Sequence, residues 1–447
     1  MTGAQGHRPA GWNDEPASGR RFGKMRDSSL TVAARVTASF GSRGEGFGRL
    51  ARSHVGSFAG DALVAIALAG TLFFTPPSTE ARQNLALYLL LTLAPFVVLG
   101  PFLGRLYERF PAAYRSGLVL SSALRAGAAL VMIPALDTVM LFPLAFVMLV
   151  LSRFHGISRS SVLPTVLERP HELISANAAI ARLGVYGAAV AGLVGLAAVW
   201  IGGQGLVLVV AALAFTLSAV AAGRLPPIEV EPLARARPGQ RPGLARPIRL
   251  IRFATAAVRL LNGYLVVLVA FALRDSDAAA LDFGFLVAAA GFGYVVAAML
   301  VPLLDGRIAE EPLVMAALAV EALAAFIAAQ AFGLPAAAAL AAAAGIAWGT
   351  AKFGFDGLLQ AAAPIAIRGR AFTNSETMFQ IAWVIGALIP IVPGVPTALG
   401  LSIAGSAALV IQVVFVASLF PVGTDRGGGG NAAEPEPPDQ PGILDVL

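Results

Sequence analysis

The stretch GPFLGRLYERF, residues 100–110, ends an apolar run that begins near residue 84 and opens onto charged sequence. Gly100 and Gly104 stand four apart, the spacing that lets two membrane helices approach closely. Arg105, Glu108 and Arg109 follow at once, as they do where a chain leaves hydrocarbon for water. Outward from this boundary, apolar runs recur at 55–75, 84–104, 116–135, 139–158, 175–199 and 203–223, then at 251–273, 282–303, 312–332, 335–357, 371–392 and 396–420. They predict twelve helices, each long enough to cross a hydrocarbon core of about 30 Å at about 1.5 Å per residue. Of 447 residues, 57% are hydrophobic and 13% charged, about half the charged share of a soluble domain. The composition excludes an ordinary soluble protein and predicts an all-α, multi-pass membrane fold.

The longest internal break, 224–250, carries Pro226, Pro227, Pro232, Pro238, Pro242 and Pro247 and reads as a cytoplasmic linker between six helices at 53–223 and six at 251–421. Residues 1–52, rich in Gly, Arg and Ser, and residues 422–447, with Gly427 to Gly430 before a Pro/Glu stretch, read as disordered cytoplasmic tails. The basic residues test this map. Those in the tails, the linker and the loops at 105–115 and 153–169 fall on one side together with Arg307, Arg368 and Arg370. Arg82 and Arg274 fall on the other, and Arg125, Arg182, Arg259 and Lys352 lie within helices. An excess of Lys and Arg marks the cytoplasmic side, which places both termini and the linker there. The net charge of +6 is thus an orientation signal and not a nucleic-acid footprint. With no cysteine and four scattered histidines, neither a metal site nor a cofactor is expected. No phosphate-binding loop is present and no catalytic constellation stands out, so an enzyme is not expected; transport, if that is the task, runs on a gradient or with a separate energy source.

The 100–110 stretch resembles the signature between helices two and three of the major facilitator superfamily, Gly-Pro-Leu-x-Gly-x-Leu-x-Asp-Arg-Phe, with Glu108 in place of the aspartate. Ser57-x-x-Gly60-Asp61 resembles the start of efflux-type members. Arg159 to Pro164 with Ala176-Asn177-Ala178 resembles their passage from helix four to five, and Pro364-x-x-x-Arg368-Gly369-Arg370 their loop before helix eleven. Gly187 to Gly192 is similar to the antiporter signature, with Ala188 and Ala191 replacing a proline and a glycine, and also suits ordinary helix packing. The resemblance covers 52–421 and implies two pseudo-symmetric six-helix bundles, with Gly100, Gly104, Glu108 and Arg109 as a cytoplasmic gate.

Ionisable residues inside a membrane are costly, about 2.5–3.5 kcal/mol each on insertion scales, and so mark candidate sites. Asp61, Glu321 and Glu376 are the candidates for proton coupling, and Arg259, Asn262, Trp348, Lys352 and Asp356 for a substrate cavity. Asp61 lies on a helix that lines the cavity in the superfamily; a structural pairing near the interface suits it too. Lys352 and Asp356, four apart, share a helix face and can neutralise each other. Arg259 and Asn262 also share a face and offer donors to an anionic group or to Asp61 or Asp356, and a network of Arg182 with Glu376 is a further expectation. Aromatic residues Tyr186, Tyr294, Trp348, Phe353, Phe355, Phe379 and Trp383 suit an apolar pocket or plain packing. Together these imply a monomeric secondary transporter of the plasma membrane that exports a small amphipathic compound against protons. Uptake by symport, lipid movement, and a non-transporting sensor stay open.

Overall fold

The computed structural model describes residues 43–69, 109, 113–167, 172–227, 246–275, 280–304, 310–363, 365–392 and 394–419. Among them the secondary structure is helical throughout: α1 (Glu45–Ala69), α2 (Tyr114–Met132), α3 (Leu141–Val162), α4 (Leu173–Gly223), α5 (Arg246–Asp275), α6 (Ala280–Leu304), α7 (Glu310–Gln330), α8 (Leu334–Ala362), α9 (Ile365–Leu388) and α10 (Thr397–Leu419). Seven of the described helices are long and apolar enough to cross a membrane. The 51-residue α4 breaks at Gly202 and Gly203, where φ reaches 68° at Gly203, a left-handed conformation that favours glycine. That break falls between the apolar runs 175–199 and 203–223. The expected helix at 84–104, most of both tails and most of the linker lie outside the described residues.

Several boundaries differ from the sequence expectation, each for a packing reason. The first helix starts at Glu45, inside the expected tail, because Phe47, Leu50 and Ala51 are fully buried and Arg43 lies over the Phe47 ring at 5.4 Å. Helix α3 continues through Arg159 to Val162, so Arg153 and Arg159 are helical and not in a loop. Helix α5 starts at Arg246, inside the expected linker; Pro247 fits its first turn, where no N–H is needed. Arg368 and Arg370 are likewise helical, on the first turns of α9. The alanine-rich run at 336–344 belongs to α8.

Close helix crossings fix the frame. A Cβ at Gly263 would stand 2.0 Å from the Trp383 carbonyl oxygen, and one at Gly386 1.9 Å from that of Leu260, so α5 and α9 touch backbone to backbone. Helices α6 and α8 cross in the same way, Gly293 against Ala342 and Gly345 against Ala290. In α1 and α4, Gly187 packs against Val55 and Gly195 against Leu63 and Ile66, whereas Gly192 faces open space and makes no packing contact. Outward faces are apolar: Leu193, Leu196, Trp200, Val413 and Val414 are all exposed, the pattern of a lipid-facing surface.

The apolar core divides along the chain. One cluster draws only on residues between Leu63 and Phe215, and two draw only on residues from Tyr264 onward. Two more unite both parts, joining Phe47, Tyr114, Leu163 and Ala178 to Phe353, Phe355, Leu359 and Phe372. Residues before Leu225 and after Arg246 therefore share a core at the end of the molecule that the charge map assigns to the cytoplasm.

Overpacking typically costs about 1–3 kcal/mol, and more where the obstacle is backbone. Gly386→Val should sharply lower the melting temperature or abolish the monodisperse peak in detergent size-exclusion chromatography, while Gly192→Val, with room for its side chain, should leave both unchanged.

Candidate functional site

Ionisable groups meet midway along the helices in two places. In the first, Arg125 on α2 is fully buried and donates to Asp61 Oδ1 at 3.0 Å, to Ser57 Oγ at 2.9 Å and to the Ser121 carbonyl at 3.3 Å. Asp61, on α1, also accepts from Ser152 of α3 at 2.9 Å. Its side chain keeps 35% exposure against 0% for Arg125, so the carboxylate is the accessible half of the pair. Arg125 also lies over the Phe215 ring at 4.6 Å. Asp61 is thus paired within its own part of the chain, and not with Arg259 or Asp356.

Around this pair runs a network that the sequence did not single out. His155 Nδ1 is 3.3 Å from Ser121 Oγ and 3.2 Å from Ser122 Oγ. Ser122 continues to Ser218 at 3.0 Å, and Ser218 donates to the Ser53 carbonyl at 2.7 Å. His54 and His155 are both buried, each with an Nε2 that lacks a partner. Ser53 and Ser57, four apart on α1, and the adjacent Ser121 and Ser122, the first of them four before Arg125 on α2, were the available signal, masked because such residues are common in any helix.

In the second place, the Lys352 ammonium sits between Asp356 Oδ1 at 2.5 Å and Glu376 Oε1 at 2.7 Å, linking α8 to α9. The expected Lys352–Asp356 pair forms, and Glu376 joins it. Rings of Phe355 and Phe372 stand 5.9 Å from the ammonium. Arg182 does not reach Glu376: it donates to the Ala298 carbonyl of α6.

Arg259 of α5 lies over Trp348 at 4.3 Å and 5.8 Å from Trp383. One turn on, Asn262 donates to the Ala344 carbonyl at 3.4 Å and leaves Oδ1 without a partner. The other aromatic candidates pack together: Phe355 against Phe379 at 5.0 Å, Trp348 against Phe379 at 6.5 Å, and Tyr294 against Phe353 at 5.3 Å. Tyr186 is exposed instead.

Glu321 stands apart on α7, only 1% exposed, with neither carboxylate oxygen hydrogen-bonded among the described residues. An ion so placed costs several kcal/mol. It shares no contact with the two clusters. Of the expected gate, Gly100, Gly104 and Glu108 lie outside the described residues, and Arg109 is exposed.

The parts of the chain before and after the linker are joined by hydrogen bonds at the shared-core end. Asn177 donates to Gln360 Oε1 at 2.5 Å, and Gln360 donates to the Ser160 carbonyl at 2.9 Å. Arg368 donates to the Ser161 carbonyl at 3.3 Å, and the Gly369 N–H to Tyr114 Oη at 3.0 Å. These residues fall where the sequence resembles the passage from helix four to five and the loop before helix eleven.

Removing one member of a buried ion pair leaves an uncompensated charge, at a cost of about 3–5 kcal/mol. Lys352→Met should therefore strongly lower the melting temperature in detergent, and adding Asp356→Asn with Glu376→Gln should restore most of it. Glu321→Gln, which keeps a neutral side chain of the same shape, should melt no lower than the parent.

No family model matches the chain. A segment of 183 residues, 39% of this chain, is 33% identical to an uncharacterized protein of Mycobacterium leprae and covers 32% of it. The same length is 33% identical to an uncharacterized protein of Mycobacterium tuberculosis and covers 33% of that one. The match thus spans about a third of the length of these curated relatives. Solved structures match far more of the chain. A bacterial homologue of the iron transporter ferroportin, in its outward-facing state, aligns over 84% of this chain and 99% of its own at 17% identity and a TM-score of 0.63. The human organic anion transporter MFSD10 aligns over 83% and 98% at 12% identity and 0.64. The E. coli fucose:proton symporter FucP aligns over 83% and 98% at 13% identity and 0.58. At these identities the likeness speaks for architecture, and it agrees with the helices, the lipid-facing surface and the signature stretch: the chain has the multi-pass membrane fold of major facilitator superfamily transporters.

Proposed function

We propose that the protein is a proton-coupled secondary transporter of a small molecule in the plasma membrane, a monomer with both termini cytoplasmic, that works by alternating access. Two six-helix bundles, 53–223 and 251–421, rock about the mid-depth clusters. The observation that carries this reading is the pairing of two mid-depth ionisable clusters with hydrogen bonds that join the two parts of the chain at one end. Groups that bind ions at mid-depth, beside contacts that can break at one end, are the parts alternating access requires. With the cytoplasmic end joined, the described state corresponds to one open to the outside.

In the export direction, Asp61 is the proton carrier. Its carboxylate is partly exposed and held by Arg125 and Ser152, so protonation loosens the hold of Arg125 and couples proton entry to a change in α2. A small amphipathic compound leaves in exchange. A second reading, uptake by symport, is favoured by Arg259 standing in electrostatic range of Glu376: an anion bound there draws a proton onto Glu376, so the two move together.

In everted vesicles with a pH-sensitive dye and a chemically broad compound panel, a transported compound should dissipate the proton gradient in the parent and not in Asp61→Asn. The sign of the pH change separates exchange from joint movement. If no compound does so while the folded protein still binds one, proton coupling is abandoned in favour of facilitated flux, lipid movement or sensing. Because the chain has no cysteine, Asn177→Cys with Gln360→Cys gives a clean cross-link. Oxidation should stop turnover and reduction restore it; turnover undiminished by a complete cross-link would overturn the rocking movement.

A further inference from the structure

Arginines in the described core differ in how their donors are met. Arg125 reaches a carboxylate, a hydroxyl and a carbonyl. Arg368 is held by the carbonyls of Ala363, Ser161 and Gln360, and Arg182 by that of Ala298. Arg259 makes no hydrogen bond or ion pair with any described residue. Its Nε is buried without a partner, while the side chain as a whole stays partly exposed.

The tryptophan contacts leave those donors available. A guanidinium stacked on a ring uses its face, whereas its N–H groups lie in its plane and point outward in a fork that matches a carboxylate. Trp348 at 4.3 Å and Trp383 at 5.8 Å therefore hold the cation in orientation without satisfying it, and they supply flat apolar surface beside it. Charge balance runs the same way. Asp356 and Glu376 are both engaged by Lys352, and Arg153, Arg159 and Arg259 also stand within electrostatic range of this pair of carboxylates. Among the described residues, four cations thus act on the two carboxylates Asp356 and Glu376. The unmet Asn262 Oδ1, one turn from Arg259, adds an acceptor for a donor on the body of a ligand.

We infer that Arg259, beside the rings of Trp348 and Trp383, is the binding point for the anionic group of a small organic acid with a flat apolar body. This rests on the transporter reading above and names its substrate class as anionic. The guanidinium binds the carboxylate in bidentate fashion, the indole rings cover the body, and the Lys352 cluster stays closed on itself.

Tryptophan fluorescence tests it in the full chain purified in detergent, in a Trp12→Phe, Trp200→Phe background that leaves Trp348 and Trp383 as the reporters. The probes are 4-nitrobenzoate and 4-nitrobenzylamine, contact quenchers of similar shape and opposite charge. The benzoate should quench in a saturable manner and bind at least tenfold more tightly than the amine. Arg259→Gln should lose at least tenfold of that affinity, Arg259→Lys should keep part of it, and both should elute as the parent does. Equal binding of the two probes, no saturable quenching by the benzoate, or unchanged affinity in a folded Arg259→Gln would each overturn the inference. The transporter reading fails separately: Arg259-dependent binding without flux in proteoliposomes leaves the anion site standing and removes transport, whereas flux of cations alone removes the anion site and leaves transport.

Discussion

A charge buried in a bilayer must be paired or absent, and the Lys352 ammonium shows how much of this structure follows from that constraint. It lies between Asp356 and Glu376, and neither contact is a local gift of the helix. A lysine four residues before a carboxylate is the weaker of the two helical orders, and Glu376 belongs to another helix. The pair exists because α8 and α9 both pack on α5, and close crossings at glycine seat them: Gly386 of α9 against Leu260 of α5, and Gly345 of α8 against Ala290 of α6. Small residues set the separation of the backbones, that separation sets the reach of the ion pair, and the ion pair determines which neighbouring group remains unmet.

The first part of the chain solves the same problem with a different chemistry. Arg125 is deeper than Asp61 and takes its remaining contacts from a hydroxyl and a carbonyl, so the carboxylate is left at the accessible edge. Around it the polar side chains are serines and histidines, which donate and accept without net charge. In the second part the group left without an ion pair among the described residues is a cation, Arg259, and the carboxylates Asp356 and Glu376 are engaged by Lys352. One cluster thus presents an anion and the other a cation.

The helices were readable because hydropathy is a property of the chain itself. Runs of apolar residues predicted every described helix to within a few residues at most ends, and the gap between the runs 175–199 and 203–223 falls at the break in α4. Where boundaries were missed, at Glu45, Val162, Arg246 and Ile365, the helix extends into polar sequence that is buried against other helices, as with Phe47 and Arg368. Composition counts a residue's own polarity and not its partner. The same limit explains the sites. Lys352 with Asp356 could be read from spacing, because both lie on one helix. Arg125 with Asp61, Asn177 with Gln360 and Arg368 with Ser161 join residues that are 64, 183 and 207 positions apart, and no periodicity connects them.

Those distant contacts also bear on whether the molecule can switch. Hydrogen bonds in a folded protein contribute about 0.5–1.5 kcal/mol net each, because the groups find other partners when they part. The bonds joining the two parts of the chain are of the neutral kind or go from Arg368 to a carbonyl, and Arg368 keeps the Ala363 and Gln360 carbonyls of its own part when that of Ser161 is withdrawn. Gln360 and Asn177 lie at a helix end that would open to water. These hydrogen bonds supply a few kcal/mol of the contact between the two parts, beside the apolar core that residues such as Tyr114, Leu163, Phe355 and Phe372 share across it. The paired charges at mid-depth, Arg125 with Asp61 and Lys352 with Asp356 and Glu376, would be costly to separate, and each of these pairs lies within one part of the chain.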